Sequence, residues 1–174
     1  MTRGSGEVIL VDENDVPVGT MEKMEAHQKA LLHRAFSVFI FNSNGEMLLH
    51  KRARNKYHSG GLWSNACCSH PQPGDDNLPA AEKRLEEEMG IRVPLKRSFS
   101  FIYKVAFENG LTEYEYDHVF VGTYEGEVNA DKEEVSDHCY ASIDSIQDDI
   151  IAHPEKYTAW FKIAFPKVIE YLAR

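Results

Sequence analysis

The sequence predicts an α/β (α+β) domain, a mixed β-sheet layered between helices, and three segments carry that prediction. Residues 34–41 are apolar on both faces, Phe36, Val38 and Ile40 alternating with Ala35, Phe39 and Phe41, as in a strand covered on both sides. Residues 78–89 read as a helix with an apolar stripe, stopped by Gly90. Residues 154–172 read as a long C-terminal helix. Strands mixed with two or three helices bury their apolar faces as layers.

The remaining elements follow in order. Residues 7–11 and 16–20 are short β-prone runs around Asp12-Glu13-Asn14-Asp15, an N-terminal hairpin. Residues 21–32 form a short helix or an irregular segment. The turn Asn42-Ser43-Asn44-Gly45 sends the central strand back through residues 46–52. Residues 53–74 make a long connection rich in Gly, Ser, Asn, His and Cys, and connections of that length inside a compact domain are more often functional than idle. Residues 97–107 and 113–124 are strands joined across Asn109-Gly110, and residues 140–143 are a short strand.

With 174 residues, 43% of them hydrophobic, and no repeat or linker-like shift, the chain reads as one domain over 1–174. Its 28 acidic against 19 basic residues, a net charge of −9, disfavour nucleic acid or an anionic membrane as a bulk partner. No stretch approaches the roughly 20 apolar residues of a membrane span. The opening Met1-Thr2-Arg3-Gly4-Ser5-Gly6-Glu7 carries no apolar signal core, and the end carries no lipidation signal. Two adjacent cysteines and a third do not make a disulfide framework. The expectation is a soluble, cytoplasmic monomer acting on a small molecule.

Four constellations could carry chemistry. The first is Trp63-Ser64-Asn65-Ala66-Cys67-Cys68-Ser69-His70-Pro71, where a cysteine beside histidine is a candidate nucleophile or base, or else a small buried hydrophobe. The second is His27, His33 and His70 with Glu113 and Glu115. The two glutamates sit two apart on a strand and so share a face. Mixed imidazole and carboxylate donors suit one divalent ion: zinc, manganese or magnesium. The competing reading makes His27 and His33 surface or capping residues and puts both glutamates on a solvent face, with Tyr114 and Tyr116 inward. The third is Glu88, which falls on the stripe of Ala81 and Leu85 and needs a cation or Arg84 as partner. The fourth is basic: Lys23, then Lys51-Arg52-Ala53-Arg54-Asn55-Lys56, a run that suits an anionic ligand such as phosphate or protects an edge strand.

Taken together, the blocks Val11-Asp12-Glu13-Asn14 with Gly19 and Glu22-Lys23, Ala26-His27, Leu32-His33-Arg34-Ala35-Phe36-Ser37, Trp63-Ser64-Asn65 through His70-Pro71, Glu88-Met89-Gly90 and Glu113-Tyr114-Glu115 stand in a telling order. The chain thereby resembles the type 1 isopentenyl-diphosphate isomerases, which are Nudix-fold proteins, over roughly residues 8–169. The Nudix box is degenerate. Aligned on Gly90 and Ile91, it places Glu87 and Glu88 on the paired glutamates, Ser69 on the first glycine, Asp75 on the first glutamate and Lys83-Arg84 where Arg-Glu is expected. A diphosphate hydrolase needs that missing carboxylate to hold magnesium and activate water, so the departure agrees with an isomerase.

The resemblance implies a Nudix-like sheet and a site. His27, His33, His70, Glu113 and Glu115 would bind one divalent metal. Cys68 and Glu115 would be the acid–base pair, Cys68 as thiolate, with Tyr103 assisting. Glu88, with the Cys68 backbone carbonyl, would bind magnesium held by the substrate diphosphate. Lys23, Arg52, Lys56 and Arg84 would grip that diphosphate, Trp160 would cap the hydrocarbon end, and Cys67 would only pack. The rivals are a Nudix hydrolase, a non-enzymatic phosphate-binding module and a structural zinc domain.

Overall fold

The computed structural model describes residues 6–174. The stretch Met1–Ser5, part of the segment read above as lacking a signal core, lies outside the described residues. The N-terminal hairpin pairs β1 (Glu7–Val11) with β2 (Pro17–Glu22). Glu22 then caps helix α1 (Lys23–Lys29) by accepting the Glu25 amide, and Ala30 in the left-handed region ends it. The next strand, β3 (His33–Phe41), turns into β4 (Met47–Arg52) through Asn42, whose side chain accepts the amides of Asn44 and Glu46.

The long connection is not structureless. It holds two short strands, β5 (Trp63–Ser64) on β4 and β6 (Cys67–Ser69) on β3. Helix α2 (Asn77–Met89) follows and stops at Gly90, where φ is +67° and an added Cβ would come within 2.7 Å of the Asn129 carbonyl. Both facts require glycine. Strands β7 (Lys96–Ala106) and β8 (Thr112–Thr123) pair antiparallel, and β8 runs parallel to β3 from His33↔Glu115 to Phe41↔Thr123.

Two expectations are corrected at the C-terminal end. The strand placed at 140–143 is β9 (Val135–Ala141) on β4, and Ile143 instead opens an unforeseen helix, α3 (Ile143–Ala152), capped by the Ser142 hydroxyl. The helix expected over 154–172 is a single 3₁₀ turn, Pro154–Lys156, and then α4 (Ala159–Leu172). The break falls where Thr158 takes an extended conformation and its hydroxyl accepts the Phe161 amide.

The alternation read in β3 sorts the core into two layers. Phe36, Val38 and Ile40 pack with Leu48 of β4 and with Ala81, Leu85 and Met89 of α2. Phe39 and Phe41 pack with Met47, Leu49 and Val119 and with Phe161, Ala164, Phe165 and Val168 of α4. The sheet thus lies between α2 and α4. Leu85 is fully buried, so Leu85→Ala costs about 2–5 kcal/mol.

Candidate active site

Sheet register assembles the site. Residues directly paired across strands point to the same face. His33 pairs with Glu115, Glu115 with Tyr103, and Ser37 with both Cys68 and Val119. His33, Ser37, Cys68, Tyr103, Glu115 and Asp117 therefore share the face that, further along the strands, packs on α4. Since Ser37 pairs with Cys68 on one edge and Val119 on the other, Cys68 and Glu115 flank β3 from opposite sides.

This overturns the solvent-face reading of β8. Glu113, Glu115 and Asp117 are all buried, while Tyr114 and Tyr116 are only half-buried. His27 and His33, weighed as surface histidines, are fully buried. Their orientation is informative. Nδ1 of His27 lies 2.7 Å from the Lys23 carbonyl, and Nδ1 of His33 lies 2.9 Å from the Leu31 carbonyl. A carbonyl can only accept, so each Nδ1 carries a hydrogen, and in the neutral ring each Nε2 is the nitrogen left free to ligate a cation.

Nε2 of His27 is buried without a hydrogen-bond partner. Nε2 of His33 and of His70 lie 3.2 and 2.8 Å from the same Glu115 Oε2. Donor atoms of His27, His33, His70 and Glu115 all fall within 4.8 Å of one another, and a second such group joins His27 to His58 and Glu113. Converging imidazole nitrogens, one of them orphaned, beside buried carboxylates fit a divalent cation.

Charge in this half is unbalanced. Burial opposes the Glu115 carboxylate, but hydrogen bonds with Glu113, His33 and Tyr103 outweigh it and bring its pKa to about 2. Burial also works against protonated His33, yet Glu115 prevails and raises it. Burial and the other two imidazoles hold His70 well below its ordinary value. The Tyr103 hydroxyl donates to Glu115 Oε1 at 2.6 Å and lies 3.2 Å from Glu113 Oε2.

Cys68 faces the same pocket, which is lined by Arg52, Tyr57, His58, Tyr103, Glu115 and Trp160 among others. Its Sγ donates to Asn65 Oδ1 at 3.2 Å and lies 3.7 Å from Ser37 Oγ, which donates to Asp117 at 2.7 Å. The thiolate expected from the sequence is not the resting form. Burial and the nearby Asp117 push the thiol up to about 12. Cys67 points to the other face and packs in the α2 layer, as expected.

The anionic-ligand reading of the basic run gains a cleft. Lys23, His50, Arg52, Lys56, Tyr57, Arg84, Glu88 and Glu134 line one cleft, with four cationic side chains turned toward it. Cys68, Ser69 and His70 belong to both cleft and pocket, so the two adjoin. Arg52 lies over the Trp160 ring at 5.1 Å, and Lys23 over the Tyr57 ring at 4.5 Å. Burial, and after it Lys56, lowers Lys23 to about 8. Arg84 is the partner foreseen for Glu88, and it also holds Glu87 at 3.2 Å. Burial raises the Glu88 pKa despite that pairing.

Sequence reasoning missed four participants. Asp117 continues the two-residue alternation of Glu113 and Glu115 and was detectable on that ground. Asn65 lies in the Trp63-to-Pro71 motif, where its residue type alone assigns it no role. His58, with Nε2 3.1 Å from Glu113 Oε1 but off the line of a hydrogen bond, and Glu134, 2.5 Å from Lys56, arrive by loop closure and leave no local signal.

The family model for the NUDIX domain matches residues 31–161. The fold recurs in a Deinococcus radiodurans protein, at a TM-score of 0.71 and 16% identity over 84% of this chain and 90% of that one. It recurs in a MutT protein from Methanosarcina mazei, at 0.68 and 18% over 82% and 96%. The family match and the fold together define a Nudix protein. Among curated relatives, the isopentenyl-diphosphate Delta-isomerase of Pectobacterium atrosepticum is 51% identical over 95% of this chain and 92% of its own length. Isopentenyl-diphosphate Delta-isomerase 2 of Photorhabdus laumondii is 48% identical over 89% and 88%. The chain belongs to the Nudix family and, within it, to the isopentenyl-diphosphate Delta-isomerases.

Proposed function

We propose that this chain interconverts isopentenyl diphosphate and dimethylallyl diphosphate in isoprenoid biosynthesis, with Cys68 and Glu115 as its acid–base pair. The observation that carries the reading is their placement on opposite edges of β3, facing one pocket that Trp160 also lines.

The reaction moves a double bond in a five-carbon diphosphate. The terminal alkene carbon gains a proton, a tertiary carbocation-like state forms, and the carbon two bonds away loses a proton. Acid and base must hold one proton between them at the start, and the group that donates in one direction accepts in the other. An alkene offers no hydrogen-bonding atom to guide the acid, so alignment must come from the walls. Tyr103 holds the Glu115 carboxyl by its hydroxyl. The face of Trp160 steadies the cation by about 0.5–2 kcal/mol. Water must be kept out while the cation exists, because it would capture the cation as an alcohol.

His27, His33, His70, Glu113 and Glu115 would hold one divalent ion, zinc, manganese or magnesium, which when bound supplies charge that orients Glu115 and tunes its acidity. Lys23, Arg52, Lys56 and Arg84 would bind the diphosphate, with Glu88 and the Cys68 carbonyl meeting its magnesium. Among the described residues no helix is long and apolar enough to cross a membrane. Its described cysteines are free, which suits our reading of a single-domain monomer in a reducing cytoplasm.

The test is direct. Purified protein is incubated with isopentenyl diphosphate and magnesium, before and after chelation, while dimethylallyl diphosphate and free pyrophosphate are followed. Metal-dependent formation of the allylic isomer without pyrophosphate is expected. Release of pyrophosphate would make the chain a hydrolase, and binding without turnover would make it a phosphate-binding module.

A further inference from the structure

Asn65 sits between β5 and β6 and is fully buried. A primary amide offers two N–H donors and two carbonyl lone pairs, and here all four are engaged. Nδ2 donates to the Val38 carbonyl at 2.9 Å and the Cys67 carbonyl at 3.0 Å, while Oδ1 accepts Ser64 Oγ at 3.0 Å and Cys68 Sγ at 3.2 Å. Its own backbone carbonyl accepts Nδ1–H of His50, from the wall of the basic cleft. An amide so committed cannot turn without orphaning several buried groups at once.

The hydrogen bonds continue beyond Ser64. Thr158 Oγ1 donates to Ser64 Oγ at 3.2 Å, and the Thr158 amide donates to the Trp63 carbonyl at 2.9 Å. Thr158 is the cap of α4, and Trp160 lies in the first turn of that helix. Asn65, Ser64 and Thr158 are each 0% exposed, so no water competes for these bonds.

We propose that Asn65 is the positioning residue for the Cys68 sulfur and, through Ser64 and Thr158, ties it to the helix turn carrying Trp160, so that thiol and indole face the pocket as one unit. This rests on the reading of Cys68 as an acid–base group. A cysteine without such an anchor samples three staggered wells about χ1, and only one presents sulfur to the reacting carbon. A displacement near 1 Å costs about 10²-fold in rate.

The test compares Asn65→Ala, Ser64→Ala and Cys68→Ala by steady-state kinetics, metal content, thermal melting and the S–H stretching band of Cys68 in difference infrared spectra. Asn65→Ala should lower kcat about 10²-fold, leave KM and bound metal as in the parent, and shift the Cys68 band. Ser64→Ala should shift the band less and lower kcat up to roughly tenfold, the scale of one hydrogen bond. A folded Asn65→Ala protein with unchanged band and kcat would overturn the proposal. So would a raised KM at constant kcat, which would make Asn65 a binding residue. If Asn65→Ala does not fold, Ser64→Ala decides by the same readouts. Full turnover in Cys68→Ala would sink the acid–base reading alone, because the band shift judges the tether without reference to catalysis.

Discussion

The two halves of the cleft are short of opposite things. The half around β8 buries Glu113, Glu115 and Asp117 beside imidazoles, and burial keeps His27 and His70 below their ordinary pKa. Only His33, paired with Glu115, is raised, so three carboxylates remain short of positive charge. The other half crowds Lys23, Arg52, Lys56 and Arg84 around Glu88 and Glu134, and Lys23 yields to about 8. It lacks negative charge. An ordinary core would cancel such charges across the divide. Here they adjoin through Arg52, Cys68 and His70, with carboxylates gathered on one side and cations on the other, which suits a cation in one half and an anion in the other.

The largest expected effect comes where the halves meet. Cys68→Ala or Glu115→Gln should lower the rate of dimethylallyl diphosphate formation by at least about 10²–10⁴-fold, the range of a single acid–base group. Cys68→Ala should melt close to the parent, since the sulfur's partners Asn65 Oδ1 and Ser37 Oγ each keep another hydrogen bond, to Ser64 and Asp117. Ordinary turnover in either variant would remove that residue from the pair.

Metal removal should act on one half only. Chelation should abolish turnover, restored by adding the ion back, and lower the melting temperature. A ligand at 100 times its Kd stabilises by about 2.7 kcal/mol, so the loss is measurable by calorimetry. The same metal-dependent stabilisation should persist in Lys23→Ala. Its disappearance there would show that the halves form one electrostatic unit.

The basic half should reveal itself through pH. Lys23 is charged below about 8 and neutral above it, so KM for the diphosphate should rise as pH climbs through that value. Lys23→Arg should remove the rise. For stability the sign is opposite. Between about 8 and the unperturbed 10.5 the unfolded chain holds a proton the native state has released, so Lys23 makes stability increase with pH in that window. A flat KM over this range would mean that Lys23 does not meet the substrate.

Legibility followed physical range. β3 and α2 were visible because each writes its burial locally, one in two-sided apolarity and the other in an apolar stripe stopped at a glycine. β5 and β6 were not, because they are only two and three residues long and are held by pairing with β4 and β3 and by the Asn65 side chain on Val38, all distant in sequence. α3 escaped although Ser142 caps it, since only Ile146 of its residues is buried. In the site, residue types and the Glu113–Glu115 alternation were readable, while the family resemblance supplied roles for Tyr103 and Trp160. The partners that shape charge, His58 and Glu134, were unreadable. They come from loop closure, such as the bond from the Ala53 amide to the Glu134 carbonyl at 3.0 Å.

Glu134 gives the smallest and most discriminating effect. Its carboxylate sits 2.5 Å from Lys56 Nζ, and although burial works to raise its pKa, Lys56 lowers it on balance. It therefore neutralises a cation that the diphosphate must recruit. Glu134→Gln keeps the shape and removes the competing charge, so KM should fall by up to about fivefold, the scale of a partly exposed ion pair. The same change has a second consequence. Glu134 is the charge that holds the Lys23 pKa up against burial and Lys56, so without it Lys23 should lose its proton at lower pH. The KM of the variant should thus be lower than the parent's in acid and begin its rise earlier, and the two profiles should converge toward alkaline pH. Parallel profiles would instead mean that Glu134 acts on Lys56 alone, leaving the charge balance of Lys23 to its burial and its cationic neighbours.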